Sequence, residues 1–340
     1  MRFVLLLTLG LVQPATAQVR RVVVLYDERT DLPGLSALDA RLVGTLTAGS
    51  SGSIEIYREA MDLSRFPSPR HARLLREYLR SKYAGKPIDV VIAVLRPSLH
   101  FMLAHGSDVF PGASIVFCGI DRRELADGRL PANVTGVFLK RASAPTLRLA
   151  LGLHPGTELD LLMAGSSEFD RGLVADAKAE LETVPGGPPI EYVTGTPLPE
   201  LERILARLPP RTLVLYSTMF LDRTGRAYIT HDAVERVARA ANAPVYAFVD
   251  QYLGRGIVGG HLYSLDAHGE HAARITVQLL AGTPASAIAP VELAASSDMF
   301  DWRALKRWGI DEARLPAGAI VRYREPSPWQ QYKTTILATA

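Results

Sequence analysis

Hydroxyls, carboxylates and aromatic rings recur where apolar runs of this chain stop. The run 22–25 leads into Tyr26-Asp27-Glu28, the run 90–95 into Arg96-Pro97-Ser98, and the run 114–118 into Gly119-Ile120-Asp121. Further on, 158–164 leads into Gly165-Ser166-Ser167, 212–216 into Ser217-Thr218-Met219-Phe220, and 244–249 into Asp250-Gln251-Tyr252. Ser98, Ser166 and Ser167 offer a hydroxyl and free backbone N–H groups at a helix start, a setting that suits a carboxylate or other anion. The same serines serve equally as plain helix caps. Tyr26, Phe220 and Tyr252 offer rings that stack on a planar ligand, or that fill the space between two packed bodies. Asp27, Asp121 and Asp250 suit an ammonium or hydroxyl group, or cap helices. Arg96, Gly119 and Thr218 stand in the same loops and complete the candidate ligand-binding set.

Other chemistries lack their residues. There is no phosphate-cradling glycine loop with its lysine and no GxSxG nucleophile elbow. The glycines at 254, 256, 259 and 260 do not open a helix after a strand, so they predict a turn and close backbone approach in a hinge region. His268 and His271 lie three apart, yet no cysteine or third ligand accompanies them with metal-site spacing, so no metal or cofactor is expected. Cys118, the single cysteine, sits in an apolar run and reads as a buried strand residue. No nucleophile, base and orienting group stand out together. An exported hydrolase or isomerase remains the alternative, with Asp27, Asp121, Asp250 and His100 as the groups from which an acid–base pair would come.

The elements that must position these loops follow from the apolar pattern. β-branched runs predict strands over 19–26, 54–60, 89–95, 114–120, 135–139, 158–164, 190–194, 212–217 and 244–249. Helical spacing predicts helices over 35–47, 69–82, 97–105, 145–151, 169–182, 198–206, 231–241 and 267–280. Continuous apolar runs such as 22–25 and 90–95 predict strands covered on both faces, as in parallel sheets. Strand and helix alternate, and the alternation occurs twice. The expected fold is therefore α/β, with two Rossmann-like lobes whose parallel sheets are flanked by helices and joined by a hinge. The expected division is 18–140 for the N-terminal lobe with a return segment at about 285–300, 141–284 for the C-terminal lobe, and 301–340 for a tail. That tail should hold a helix at 302–308 and an edge strand at 319–323. In open α/β sheets ligands sit outside the carboxyl ends of the strands, which is where the chemistry-bearing loops fall.

Composition limits the setting. Apolar residues make up 48% and charged residues 21%, enough for a sizeable core and unlike a disordered chain. The formal charge of +3 is spread without a basic block, which argues against nucleic acid as a partner. Arg2, the apolar run 3–12 and Ala15-Thr16-Ala17 have the layout of a secretory signal peptide over 1–17, so export is expected. Trp329, Tyr332 and Lys333, followed by a short apolar start, are residue types found at a membrane boundary. They leave two expectations, an ordinary end or the outer part of a longer, membrane-tethered protein.

Several stretches carry a family resemblance. The segments 22–27, 89–98, 114–121 and 256–282, with GGHLYSLDAHGEHAAR (259–274) followed by LLAGTP (279–284), resemble the type I periplasmic solute-binding proteins. The likeness is to ABC-transporter substrate-binding proteins related to tryptophan and aromatic amino-acid binders. In the tail, MFDWRALKRWGI (299–310), RLP (314–316) and REPSPWQQY (324–332) resemble the juxtamembrane end of extracytoplasmic sensor domains of bacterial histidine kinases. The resemblance implies the periplasmic binding protein-like I fold and a periplasmic location. It implies binding of a small-molecule solute (an amino acid, aromatic or carboxylate) between the lobes, without catalysis. It also implies either an ABC permease or a membrane-anchored kinase as partner.

Overall fold

The computed structural model describes residues 19–325, apart from Ser51, Arg65, Pro67 and 126–128; the expected leader 1–17 and the end of the tail, 326–340, lie outside the described residues. In chain order the elements of the first stretch are β1 (Arg20–Tyr26), α1 (Pro33–Gly49), β2 (Ile54–Ala60), α2 (Pro69–Lys82), β3 (Val90–Val94), α3 (Arg96–Val109), β4 (Ser114–Asp121) and β5 (Val134–Leu139). The second stretch holds α4 (Ala144–Leu153), β6 (Leu159–Ala164), α5 (Glu168–Leu181), β7 (Ile190–Thr194), α6 (Leu198–Leu205), β8 (Thr212–Tyr216), α7 (Thr230–Ala240), β9 (Val245–Ala247) and β10 (Gly259–Tyr263). The last described elements are α8 (Leu265–Leu280), β11 (Val291–Leu293), β12 (Ser296–Asp301), α9 (Trp302–Arg307) and β13 (Ile320–Arg322).

Two sheets result. The N-terminal lobe has the order β11-β5-β4-β3-β1-β2 and the C-terminal lobe the order β13-β12-β10-β9-β8-β6-β7. Neighbouring strands run parallel in the first sheet. The second sheet is also parallel, except that β12 runs against β10. The apolar runs explain this. Val22, Val24 and Tyr26 of β1 face α1 and α8, while Val23 and Leu25 face the side of α2 and α3, so successive residues of one strand enter two cores. The second sheet repeats the pattern. Val214 and Tyr216 pack with α6 and α7, and Leu213 and Leu215 with α4, α5 and α9.

Leu38, Leu42 and Leu46 form the buried stripe of α1, each with 0% exposure, and each is worth about 1.5–3 kcal/mol of burial. α8 lies on that stripe. A Cβ on Gly269 would come within 2.5 Å of the Leu38 carbonyl oxygen, so the glycine sets how closely the two helices meet. This contact corrects the expected division. Residues 265–280 were assigned to the C-terminal lobe, but α8 packs on α1 and on β3, β4 and β5. The chain therefore leaves the N-terminal lobe after β5, returns to it after β10, and leaves it again between β11 and β12. β12, expected within the return segment, is a strand of the second sheet. The glycines 259 and 260 are likewise not in the hinge. They open β10, where a Cβ would meet the Met299 carbonyl oxygen at 2.1 Å and that of Ala247 at 2.3 Å. Close backbone approach is their reason, as the sequence suggested.

Candidate ligand-binding cleft

The carboxyl ends of β6 and β8 are tied together by one buried carboxylate. Asp170 has 0% exposure and sits in the first turn of α5. Its carboxylate accepts from the Ser167 backbone N–H at 3.1 Å, the Ser167 hydroxyl at 2.7 Å, the Phe220 backbone N–H at 3.2 Å and the Thr218 hydroxyl. Ser167 in turn caps the helix by accepting from the Asp170 backbone N–H at 3.0 Å, a capping box. Gly165 makes room: a Cβ there would lie 2.3 Å from an Asp170 oxygen.

This network holds two aromatic rings at the rim. Phe169 and Phe220 meet edge to face with centroids 5.7 Å apart, and Phe169 is 38% exposed. The Arg141 guanidinium, from the first crossing between the lobes, lies 5.9 Å from the Phe169 ring centre, within cation–π range. Arg141 also lines a small cavity with Ser143, Asp176, Glu180, Ser217, Thr218 and Tyr263. Its volume is about 20 Å3, room for a single water.

Across the gap the lobes meet through charges. Arg96 of α3 donates to Glu168 of α5 at 3.0 Å. Arg123, just past β4, lies 3.6 Å from Asp176 and 3.8 Å from Glu180. The three acidic residues stand at intervals of eight and four along α5, so they share one stripe of the helix. Arg123 is held in place by Asp121, which accepts from its side chain at 2.9 and 2.7 Å and from its backbone N–H at 3.0 Å. Burial pushes the Asp121 carboxyl up, but the Arg123 bonds outweigh it and hold the group below its ordinary range. Leu95, immediately before α3, has φ +69° and ψ 162°, a strained backbone for a leucine that costs about 1–3 kcal/mol.

The candidate residues named from sequence fall into three groups. Ser167, Thr218 and Phe220 are brought together by Asp170, and Ser166 sits beside them with its hydroxyl donating to the Leu221 carbonyl at 3.3 Å. Arg96 and Asp121 lie at the gap, engaged in or supporting the inter-lobe ion pairs. The others lie away from this exposed edge, most of them buried. Tyr26 has 0% exposure and donates its hydroxyl to Asp39 at 2.6 Å. Asp27 is buried, accepts from the Ser64 backbone N–H at 3.0 Å and from the Ser64 hydroxyl, and has its pKa raised chiefly by burial. Tyr252 is fully buried, shares a 2.7 Å hydrogen bond with Thr230 and packs edge-on against Tyr216. Ser98 is buried in α3, and its hydroxyl has no hydrogen-bond partner among the described residues. Gly119 is buried in β4 and supplies a left-handed φ of +73°. Asp250 is half-buried, and its pKa is raised by burial against the opposing bond from Ser264.

Sequence reasoning missed Phe169, Asp170, Arg141, Asp176, Glu180 and Tyr263. A signal for two of them was present, because Ser167-x-x-Asp170 is a capping-box pattern that also places Phe169 at the helix start. The acidic stripe of α5 had only a spacing signal, and nothing in the spacing indicates what it faces.

No family model and no curated protein matches the sequence. Solved structures do. The chain is similar to the ligand-free, open form of CD0873, a substrate binding protein with adhesive properties from Clostridium difficile, at 16% identity and TM-score 0.64 over 90% of this chain and 99% of that one. An ABC domain from Streptococcus pneumonia in complex with L-Trp matches at 15% identity and TM-score 0.65 over 89% and 100%. An ABC transporter solute-binding protein from Conexibacter woesei matches at 16% identity and TM-score 0.51 over 94% and 96%. At these identities the likeness establishes the fold, a two-lobed α/β architecture of the periplasmic binding protein-like I kind, which this chain shares with substrate-binding proteins of ABC transporters.

Proposed function

We propose that the chain binds a small organic solute between its lobes, outside the cytoplasm, and signals occupancy by lobe closure. The observation that carries this reading is the Phe169–Phe220 edge-to-face pair beside the Arg141 guanidinium at the gap. Two rings with a cation beside them suit a planar apolar body that carries a carboxylate. Asp176 and Glu180, which line the small cavity with Arg141, suit an ammonium group. An aromatic amino acid combines all three features, and one fold neighbour is in complex with L-Trp. A nucleobase-like ring or an aromatic acid uses part of the set.

The present cavity of about 20 Å3 is far below the roughly 300 Å3 of a small ligand site. Entry therefore requires the lobes to part, and Arg96–Glu168 and Arg123–Asp176 to separate. A solute shifts that equilibrium only by its preference for one lobe arrangement over the other. The partner that reads the closed form is an ABC permease or a membrane-anchored kinase. The export expected from residues 1–17 is part of the proposal.

The test is a thermal-shift and calorimetric screen against aromatic amino acids, purines and aromatic acids. A true ligand raises the melting temperature with concentration, by about 2.7 kcal/mol of added stability at a hundredfold excess over Kd. Phe220→Ala and Phe169→Ala should each weaken binding by about tenfold, the worth of one aromatic contact. Binding that survives both substitutions unchanged places the site elsewhere. A full screen that leaves the melting temperature fixed removes the binding reading.

A further inference from the structure

Helix α2 is the least buried long helix of the N-terminal lobe. Of its fourteen residues only Leu79 is buried. A helix of this length is marginal on its own and is normally held by an apolar face. Here large apolar side chains also stand on the exposed side. Leu74 and Tyr78, four residues apart and so one above the other, are each 53% exposed, and Phe66 just before the helix is 52% exposed. The side chains around this crest are cationic. The helix carries Arg70, Arg73, Arg76, Arg80 and Lys82 against the single acidic Glu77. Arg76 and Arg80 pair with Asp108 at 2.7 and 3.6 Å, and Lys82 pairs with Glu59 at 2.6 Å. Arg70, Arg73 and Arg80 are exposed. Lys82 also lies 5.3 Å from the Tyr78 ring, so cation and ring occupy one patch.

The geometry points to α2 as a docking surface for an anionic phospholipid bilayer. Leu, Tyr and Phe with Arg and Lys on both flanks is the composition of an interfacial helix, with apolar groups sinking below the headgroups and cations reaching phosphates. The charge around the crest is complementary to anionic lipid, and each cation near such a surface adds attraction that salt screens. The crest residues lie outside the network of Asp170 and the cavity beside Arg141, so the surface and the solute site are separate features. Attachment through α2 would hold the N-terminal lobe at the membrane while the C-terminal lobe swings.

The experiment is co-sedimentation of the intact chain with phosphatidylcholine vesicles, with and without phosphatidylglycerol, at low and high salt. Every protein compared carries the same termini, so any binding by residues outside α2 cancels. Partitioning should rise with phosphatidylglycerol and fall in high salt. The double variant Arg70→Gln/Arg73→Gln should lower it roughly ten- to thirtyfold, and Leu74→Ser/Tyr78→Ser should lower it several-fold, with unchanged melting temperatures for both. Partitioning equal to the parent chain in both variants overturns the proposal. So does equal binding to the two vesicle types. Binding to soluble polyglutamate that is as tight as to the vesicles and indifferent to Leu74→Ser/Tyr78→Ser also overturns it, because the helix would then recognise charge in an acidic protein rather than a lipid surface.

Discussion

The two lobes share an architecture but spend their loop residues differently. In the N-terminal lobe, the polar groups at the strand ends turn inward: Tyr26 bonds Asp39, Asp27 bonds Ser64, and Ser98 is buried. What that lobe sends across the gap is charge, from Arg96 and from Arg123 on its Asp121 support. In the C-terminal lobe one carboxylate, Asp170, gathers three loop residues and leaves Phe169 and Phe220 at the rim. One half of the cleft offers cations that grip the partner lobe, and the other offers an organised apolar face. Equivalent positions at the ends of parallel strands therefore do not do equivalent work.

The largest test of this contrast is Asp170→Ala. It leaves four donors in a buried region without their acceptor and should lower stability by about 3–5 kcal/mol, read by urea melts. Asp170→Asn keeps the shape with fewer acceptor sites, so it should cost less while loosening Phe220. A loss below about 1 kcal/mol for Asp170→Ala would mean that the C-terminal rim is not organised by this group.

Asp160 gives a second effect specific to the C-terminal lobe. It is fully buried in β6, its oxygens have no well-formed hydrogen bond among the described residues, and burial, opposed only by the nearby Leu161 backbone N–H, lifts its pKa to about 7. An ordinary aspartate titrates near 3.9. Between about pH 4 and 7 the folded chain therefore keeps a proton that the unfolded chain releases. This contribution is fully present below that window and is lost as pH rises through it, by up to about 4 kcal/mol. Asp160→Asn should remove the slope, and equal slopes in parent and variant would show that Asp160 does not titrate there.

The smallest effect belongs to the ion pairs. Arg96 is 41% and Glu168 78% exposed, so Arg96→Gln should change stability by no more than about 1 kcal/mol. If these pairs favour the closed arrangement, Arg96→Gln should instead accelerate solute exchange, measured by stopped flow. A stability loss of several kcal/mol with unaltered exchange would reverse the roles assigned to the two lobes.

The sequence carried most of the fold because apolar runs such as 90–94 have one reading when flanked by helical spacing. It misplaced α8 because an apolar helix face does not name the sheet it covers; only the contact of Gly269 with Leu38 does that. The same limit governs the site. Tyr26 and Phe220 both follow apolar runs, yet one ring closes inward on Asp39 and the other stays at the rim. Local pattern tells which residues end a strand, and long-range packing decides their direction. Asp170 was legible as a cap but not as the acceptor for Thr218, forty-eight residues away.

The return of the chain to β11 and α8 also sets the order of assembly. When residues 19–139 have left the ribosome, Leu38, Leu42 and Leu46 still lack the helix that covers them, and β5 lacks its outer neighbour. Both arrive only after β6 to β10 have been made, so the lobe that starts first is completed late, and β12 and β13 of the other sheet follow later still.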